Sequence, residues 1–282
     1  MLETRDLTIR FGGHVAVDHV SCSFAQGTLT SIVGPNGAGK TTYFNLISGQ
    51  LPASEGRVTL DGEDITALPA PLRTRRGLGR AFQLTQLFPN LTVRENVRLA
   101  IQAREAGRGH GGALDMWRVW SDRRAWIDEA EALLAQVRLG DKAEAQASSL
   151  PHGDQRKLEV ALLIALDPKV FMFDEPTAGM SVDEVPVVLD LIRSLKARKD
   201  IVILLVEHKM DVVRELSDRI IVLNNGQLVA DGEPAAVIAS PVVQQAYLGM
   251  AAEDEPELAT VPAGGGEPGE SQRPASRDVG AA

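Results

Sequence analysis

The segment "LTSIVGPNGAGKTT" (29–42) limits what this chain can fold into more than any other stretch. Its first five residues are an apolar run of strand length, and a glycine-rich turn then leads into the helix-like "TTYFNLISG", with Gly49 suited to a C-cap. Residues 34–42 match G-x-x-x-x-G-K-[ST], and they lie between a strand and a helix, the context that gives the pattern meaning. The glycines let the backbone curl until its amides point at nucleotide phosphates, beside a helix N-terminus that favours negative charge. The expected phosphate cradle is Gly34, Asn36, Gly37, Ala38, Gly39, Lys40, Thr41 and Thr42. Within it Lys40 should reach the β- and γ-phosphates, and Thr41 should coordinate Mg²⁺.

A second apolar strand, "VFMFDE" (170–175), ends in two acids. Asp174 fits the Mg²⁺-linked acid of P-loop enzymes, and Glu175 would act on an attacking water as its general base or orienter. An isolated "DEP" could equally be a solvated turn after a strand; the upstream phosphate loop favours chemistry. No N-K-x-D-type base reader is present, so adenine is favoured over guanine. Short buried strands recur at "IVILLV" (201–206) and "RIIVL" (219–223), separated by helical segments such as 184–197. Strands alternating with helices predict a mainly parallel sheet covered on both faces. Around it, "LTIRF", "SCSF" and "RVTLDG" have an antiparallel flavour near the N-terminus, and "WIDEAEALLAQVRL" (126–139) puts Trp126, Ala130, Leu133, Leu134 and Val137 on one helical face.

Composition enters as a bound. The 282 residues are 44% hydrophobic but only 4% aromatic, so aliphatic side chains carry the packing. A net charge of −9 argues against nucleic acid as a partner. Residues 251–282 hold seven acids against two arginines, amid Gly, Pro, Ser and Ala, which predicts a disordered acidic tail. The single cysteine, Cys22, excludes an internal disulfide and fits a reducing cytosol. No apolar run approaches membrane-spanning length, so the chain is expected to sit against a membrane at most.

Taken in order, "VGPNGAGKTT", "RAFQLTQLFPNLTVRENV", "FDEPTAG" and "LLVEHKMDVV" resemble the nucleotide-binding subunits of ABC transporters over nearly all of residues 1–250. The wording is most similar to the branched-chain amino acid and amide importers, notably in "EPTAGMS", "VEHKMDVV", "ADGEP" and "AYLG". The resemblance implies an α/β fold: a P-loop NTPase (RecA-like) core with a mainly parallel sheet, an N-terminal antiparallel β subdomain and an α-helical subdomain inserted at about 87–156. It implies ATP and Mg²⁺ as cofactors. It also places further residues. Phe11 matches the aromatic position that stacks on adenine, although an aromatic in a strand is often plain core. Gln83 matches the Q-loop glutamine near Mg²⁺ and the lytic water, and His208 matches the switch histidine of the γ-phosphate. His14, His19 and His110 lack such context and are read as non-functional.

Leu150, Pro151, His152, Gly153 and Asp154 align with the signature L-S-G-G-Q, which in this family completes the ATP site of a partner subunit. Pro151 cannot supply the usual serine hydroxyl, but proline suits a first helical turn, and Gly153 keeps the close backbone approach. Asp154 is unhelpful beside a phosphate unless it turns away or caps locally. In "EPTAGMSVDE", Ser181 stands where many relatives of the D-loop carry aspartate. The implied partners are two integral-membrane permeases, a second ATPase subunit in a head-to-tail dimer and, indirectly, a periplasmic or extracellular solute-binding protein, at the cytoplasmic face of the inner membrane. Leu87, Phe88, Trp117 and Trp120 could line the groove for a permease helix, or the tryptophans could be packing. The competing classes are a lipopolysaccharide-exporter ATPase and a soluble ABC ATPase of DNA repair or translation. The absence of a long coiled-coil insertion or a tandem domain disfavours the latter.

Overall fold

The computed structural model describes residues 1–81, 87–108 and 124–245. The chain opens with a hairpin of β1 (Leu2–Phe11) and β2 (His14–Phe24), which closes at the Phe11–His14 pair. β3 (Leu29–Val33) leaves for a second sheet and runs through the glycine-rich turn into α1 (Lys40–Ser48). β4 (Glu55–Leu60) and β5 (Glu63–Asp64) return to the hairpin, and α2 (Ala70–Arg75) leads to β6 (Leu78–Ala81). Among the described residues α3 (Val93–Gly107), α4 (Arg124–Gln136) and α5 (His152–Leu166) follow. Then come β7 (Val170–Asp174), α6 (Val185–Lys196), β8 (Val202–Val206), α7 (Met210–Leu216), β9 (Arg219–Asn224), β10 (Gln227–Gly232) and α8 (Pro234–Ile238).

The hairpin, β4 and β5 form an antiparallel sheet in the order β2-β1-β4-β5. The second sheet has the order β10-β9-β3-β8-β7-β6; its five strands from β9 to β6 are parallel, and β10 is an antiparallel edge. β3, β7 and β8 are buried along their whole length, as parallel strands covered on both faces must be. Alternation sorts their side chains into two cores. Phe171, Phe173, Ile203 and Leu205 pack with Val97, Leu134, Leu158 and Ile192 of α3 to α6. Val170, Met172, Val202 and Leu204 pack on the other face with Phe44 and Ile47 of α1 and with Phe24 of β2. Asp174 shares the parity of Val170 and Met172, so its carboxylate leaves the strand on the α1 side.

Local chemistry fixes the helix ends. Gly49 closes α1, with its N–H on Leu46 O and the next N–H on Asn45 O. Arg73, only 2% exposed, donates to the carbonyls of Leu46, Ile47, Leu68 and Thr66. A buried guanidinium is offset here by four acceptors and by the negative end of the α1 dipole. α3 starts in a capping box, Thr92 with Glu95. The face of α4 follows the sequence pattern: Ala130, Leu133 and Leu134 are buried, and Trp126 packs partly against the same core. The helix stops at Gln136, however, short of the periodic run. Arg138 takes a left-handed φ of 56°, and the Leu139 N–H reaches back to Leu134 O, a helix-ending turn made without glycine. Val137 and Leu139 are still buried, so the apolar period outlasts the helix. Among the described residues no helix is long and apolar enough to cross a membrane. Gln83, His110, Trp117, Trp120, "AYLG" and the acidic tail lie outside the described residues.

Candidate active site

The parallel sheet delivers its chemistry to one edge. The glycine-rich turn follows the C-terminal end of β3, Asp174 ends β7, and His208 comes two residues after β8. Gly34 is dictated by contact: a Cβ there would lie 2.1 Å from Leu223 O of β9. Its φ of 149° also lies outside the range of ordinary side chains. α1 is preceded by Gly39 as its N-cap, with no side-chain cap and no acid in its first turn, so its leading N–H groups remain available to an anion. Lys40, 6% exposed, curls back and donates to Gly34 O at 2.6 Å and Pro35 O at 2.8 Å. Burial pushes its ammonium pKa down, against the pull of Glu175 and Asp174.

A cleft of about 320 Å³ opens over this turn. Residues 36–42 form its floor, and Glu175 and His208 stand on its wall together with His14 and Ala16. His208 Nε2 and Glu175 Oε1 are 2.6 Å apart, a hydrogen bond in the Nε2–H tautomer. Glu175 is held in a left-handed conformation, φ 49°, with its N–H on Val206 O at the end of β8. That conformation costs a non-glycine residue on the order of 1 kcal/mol, and such costs collect at working sites. Glu207, 3% exposed, fixes the neighbouring loop: Oε1 accepts from Thr177 Oγ1 at 2.6 Å and Oε2 from the His208 N–H at 3.0 Å.

Asp174, next to Glu175 at the end of β7, is buried. Oδ2 accepts from Arg80 at 2.6 Å, whereas Oδ1 is buried and has no hydrogen-bond partner among the described residues. Burial pushes this carboxyl up in pKa, with Arg80 opposing. An orphaned carboxylate oxygen is costly unless a cation engages it, so Asp174 and Thr41 suit a Mg²⁺ ion that also takes phosphate oxygens. No cluster of three His, Cys, Asp or Glu side chains able to hold a metal exists among the described residues.

The signature stretch is tied to its own D-loop. Pro151 is the N-cap of α5, one position before the expected first turn, and Pro151 and His152 are exposed. Two of the five residues expected to serve the site turn inward. Leu150 joins the core, and Asp154, 4% exposed, pairs with Lys142 and with Lys157 Nζ at 2.7 Å. Asp154 therefore serves the inside of the subunit rather than its presented face. Lys157 also reaches Glu184 at 3.1 Å, and Glu184 accepts from the Ser181 N–H and hydroxyl at 3.2 and 3.0 Å. A Cβ on Gly153 would lie 2.1 Å from the Glu184 carboxylate, so glycine is required by that contact as well. Hence Ser181 is held by its own subunit.

Most of the expected residues converge. Asn36 to Thr42, Glu175 and His208 share the cleft, and Asp174 is buried beside Glu175 in the chain. Phe11 is half exposed at the hairpin tip, so it is not strand core, but it does not line the cleft. His14, read from the sequence as non-functional, lines the cleft. Its register opposite Phe11 carries it over the turn, a contact that only the β1–β2 pairing reveals. His19 is exposed and pairs with Asp18. Leu87 packs partly against the core, whereas Phe88 is 57% exposed. Arg80, Thr177 and Glu207 were missed. Each is a polar residue in or beside an apolar strand, and that was the one available hint. A larger open depression, about 680 Å³ between Arg214 and Glu233, holds none of the expected catalytic, phosphate or metal residues.

The high-affinity branched-chain amino acid transport ATP-binding protein BraF of Pseudomonas aeruginosa is 37% identical over 251 residues, 89% of this chain and 98% of that protein. The protein of the same description named LivG in Escherichia coli K12 is 37% identical over 254 residues, with 89% and 98% covered. A crystal structure of the ADP conformation of an ATP-binding cassette of an ABC transporter superposes with a TM-score of 0.72 at 30% identity, covering 88% of this chain and 98% of that one. The sequence pattern of the ABC transporter family matches residues 17–178, and the chain belongs to that family.

Proposed function

We propose that this chain is the ATP-binding and ATP-hydrolysing subunit of an importer for branched-chain or other hydrophobic amino acids or amides. The observation that carries the reading is the Glu175–His208 pair, 2.6 Å apart and facing the lysine-bearing turn across one cleft. The turn amides and Lys40 bind the β- and γ-phosphates, with Lys40 exchanging the Gly34 and Pro35 carbonyls for phosphate oxygens. Glu175 accepts the proton of the attacking water, and His208 holds Glu175 and the γ-phosphate in register. Asp174 Oδ1 and Thr41, with Gln83, would hold Mg²⁺, which would supply charge neutralisation on the phosphate oxygens. Phe11 supplies a ring for adenine at the hairpin tip. Pro151, His152 and the Gly153 backbone face the ATP of a second ATPase subunit.

Import is favoured over lipopolysaccharide export because the relatives similar across nearly the whole chain are described as branched-chain amino acid transport proteins. The partners on this reading are two permeases at the cytoplasmic membrane face, with exposed Phe88 at their contact, and a solute-binding protein beyond them. The test is the complex purified with its permeases, with and without Glu175→Gln. The variant should bind ATP normally while turnover falls roughly 10²–10⁴-fold, the range for loss of a general base. Turnover near the wild-type rate would remove Glu175 from its role. A complex not stimulated by an amino acid-loaded binding protein would sink the importer assignment.

A further inference from the structure

Arg80 has no place in the scheme above, yet it touches more of the site's foundations than any residue that does. It lies on β6 opposite Met172 of β7, so its side chain emerges on the α1 face of the sheet, the same face as Asp174. The guanidinium spans two elements. Nη2 donates to Asp174 Oδ2 at 2.6 Å, and Nη1 donates to Asn45 Oδ1 at 2.7 Å and Ser48 Oγ at 2.9 Å, both on α1. Its Cζ lies 5.1 Å from the centroid of the Phe44 ring, also on α1. The side chains are 7% and 0% exposed, so this is a buried ion pair.

Such a pair is a poor source of stability, because desolvating both charges offsets much of their attraction. The Asp174 end is also incomplete, with Oδ1 buried and unpartnered among the described residues. A carboxylate with one oxygen clamped and the other bare is poised for a second cation. α1, to which Arg80 anchors the acid, begins at Lys40 and Thr41. We propose that Arg80 is a positioning residue for Mg²⁺: it takes Oδ2, so that Asp174 offers Oδ1 alone, and it fixes that oxygen relative to the helix bearing Thr41. The planar fork matters here, since its donors keep fixed directions, whereas an ammonium is a compact charge on a flexible stem. This inference rests on the nucleotide-binding reading of the cleft.

The experiment is equilibrium binding of ATP to the full chain, in EDTA and across a Mg²⁺ titration, for wild type, Arg80→Met and Arg80→Lys. Wild type should bind ATP in EDTA and more tightly with Mg²⁺. Arg80→Met, whose stem still covers Phe44, should keep its EDTA affinity within about twofold and raise the Mg²⁺ midpoint about tenfold, the low end for losing a residue that orients a metal ligand. Arg80→Lys should fall between them, and it decides the matter if Arg80→Met fails to fold. A Mg²⁺ midpoint within twofold of wild type in a folded variant overturns the proposal. So does an equal loss with and without the ion, which would make Arg80 a support for α1 alone. If wild type binds no ATP in either condition, the nucleotide reading itself falls, and the Arg80 assignment with it.

Discussion

At the scale of single residues, the least conventional position is Pro151. As the N-cap of α5 it has φ −55° and ψ 156° and makes no side-chain cap bond. A serine there could accept from the N–H two or three residues on, a gain of about 1 kcal/mol. Losing proline loosens the unfolded chain and costs about 0.4–1 kcal/mol. The two effects nearly cancel, so Pro151→Ser should shift the melting temperature by no more than about 3 °C, since about 1 kcal/mol moves a domain of this size 2–4 °C. Turnover of the assembled complex should also be retained, and a tenfold fall would show that the ring itself is needed. The inward turn of Asp154 explains how an acid is tolerated in the stretch proposed to face phosphate: two lysines of the same subunit hold it. Sequence alone raised that possibility but could not choose it, because Lys142 lies in a different segment, twelve residues away.

At the scale of elements, α5 is joined to the loop before α6 by a chain of charges. Lys157 bonds Asp154 on its own helix and Glu184 at the start of α6, and Glu184 bonds Ser181. Lys157→Met would leave Asp154 buried with only Lys142, and should cost about 1–3 kcal/mol, the penalty for a buried charged group that loses a partner. The pH dependence follows in sign. Burial alone would raise the Asp154 pKa, but the bonds from Lys142 and Lys157 outweigh it and hold the carboxyl below its ordinary value of 3.8. Glu184 is likewise lowered, first by Lys157. A depressed folded pKa means stability that is complete above the unfolded pKa and is lost as pH falls through the folded one. The gap between wild type and Lys157→Met should therefore be widest near neutral pH and close as the acid falls below about pH 4. Urea melts at the two pH values would show this, and a gap independent of pH would mean that packing, not charge, sets it.

At the scale of the whole molecule, the legible parts were those whose information is local or periodic. The turn at 34–42, the strand ending in Asp174 and Glu175, the two-faced burial of the parallel strands and the α4 face could all be read from spacing. What was illegible depends on register between distant segments: Arg80 against Asp174, Thr177 against Glu207, and His14 above the turn. The same non-local construction yields a global prediction. The cleft is assembled from residues near positions 14, 40, 175 and 208, contributed by both sheets, so a bound nucleotide braces segments that unfolding must separate. A ligand at 100 times its dissociation constant adds about 2.7 kcal/mol to the folded state. For a domain of this size that corresponds to a rise of about 5–10 °C in melting temperature. MgATP should give such a rise in Glu175→Gln, where turnover does not deplete the ligand. Lys40→Ala should lose nearly all of it while melting close to wild type without nucleotide, because the Lys40 ammonium bonds only carbonyls of its own loop. A full shift in Lys40→Ala would move the binding site away from this turn, and a shift confined to one segment in hydrogen exchange would show that the two sheets do not unfold as a unit.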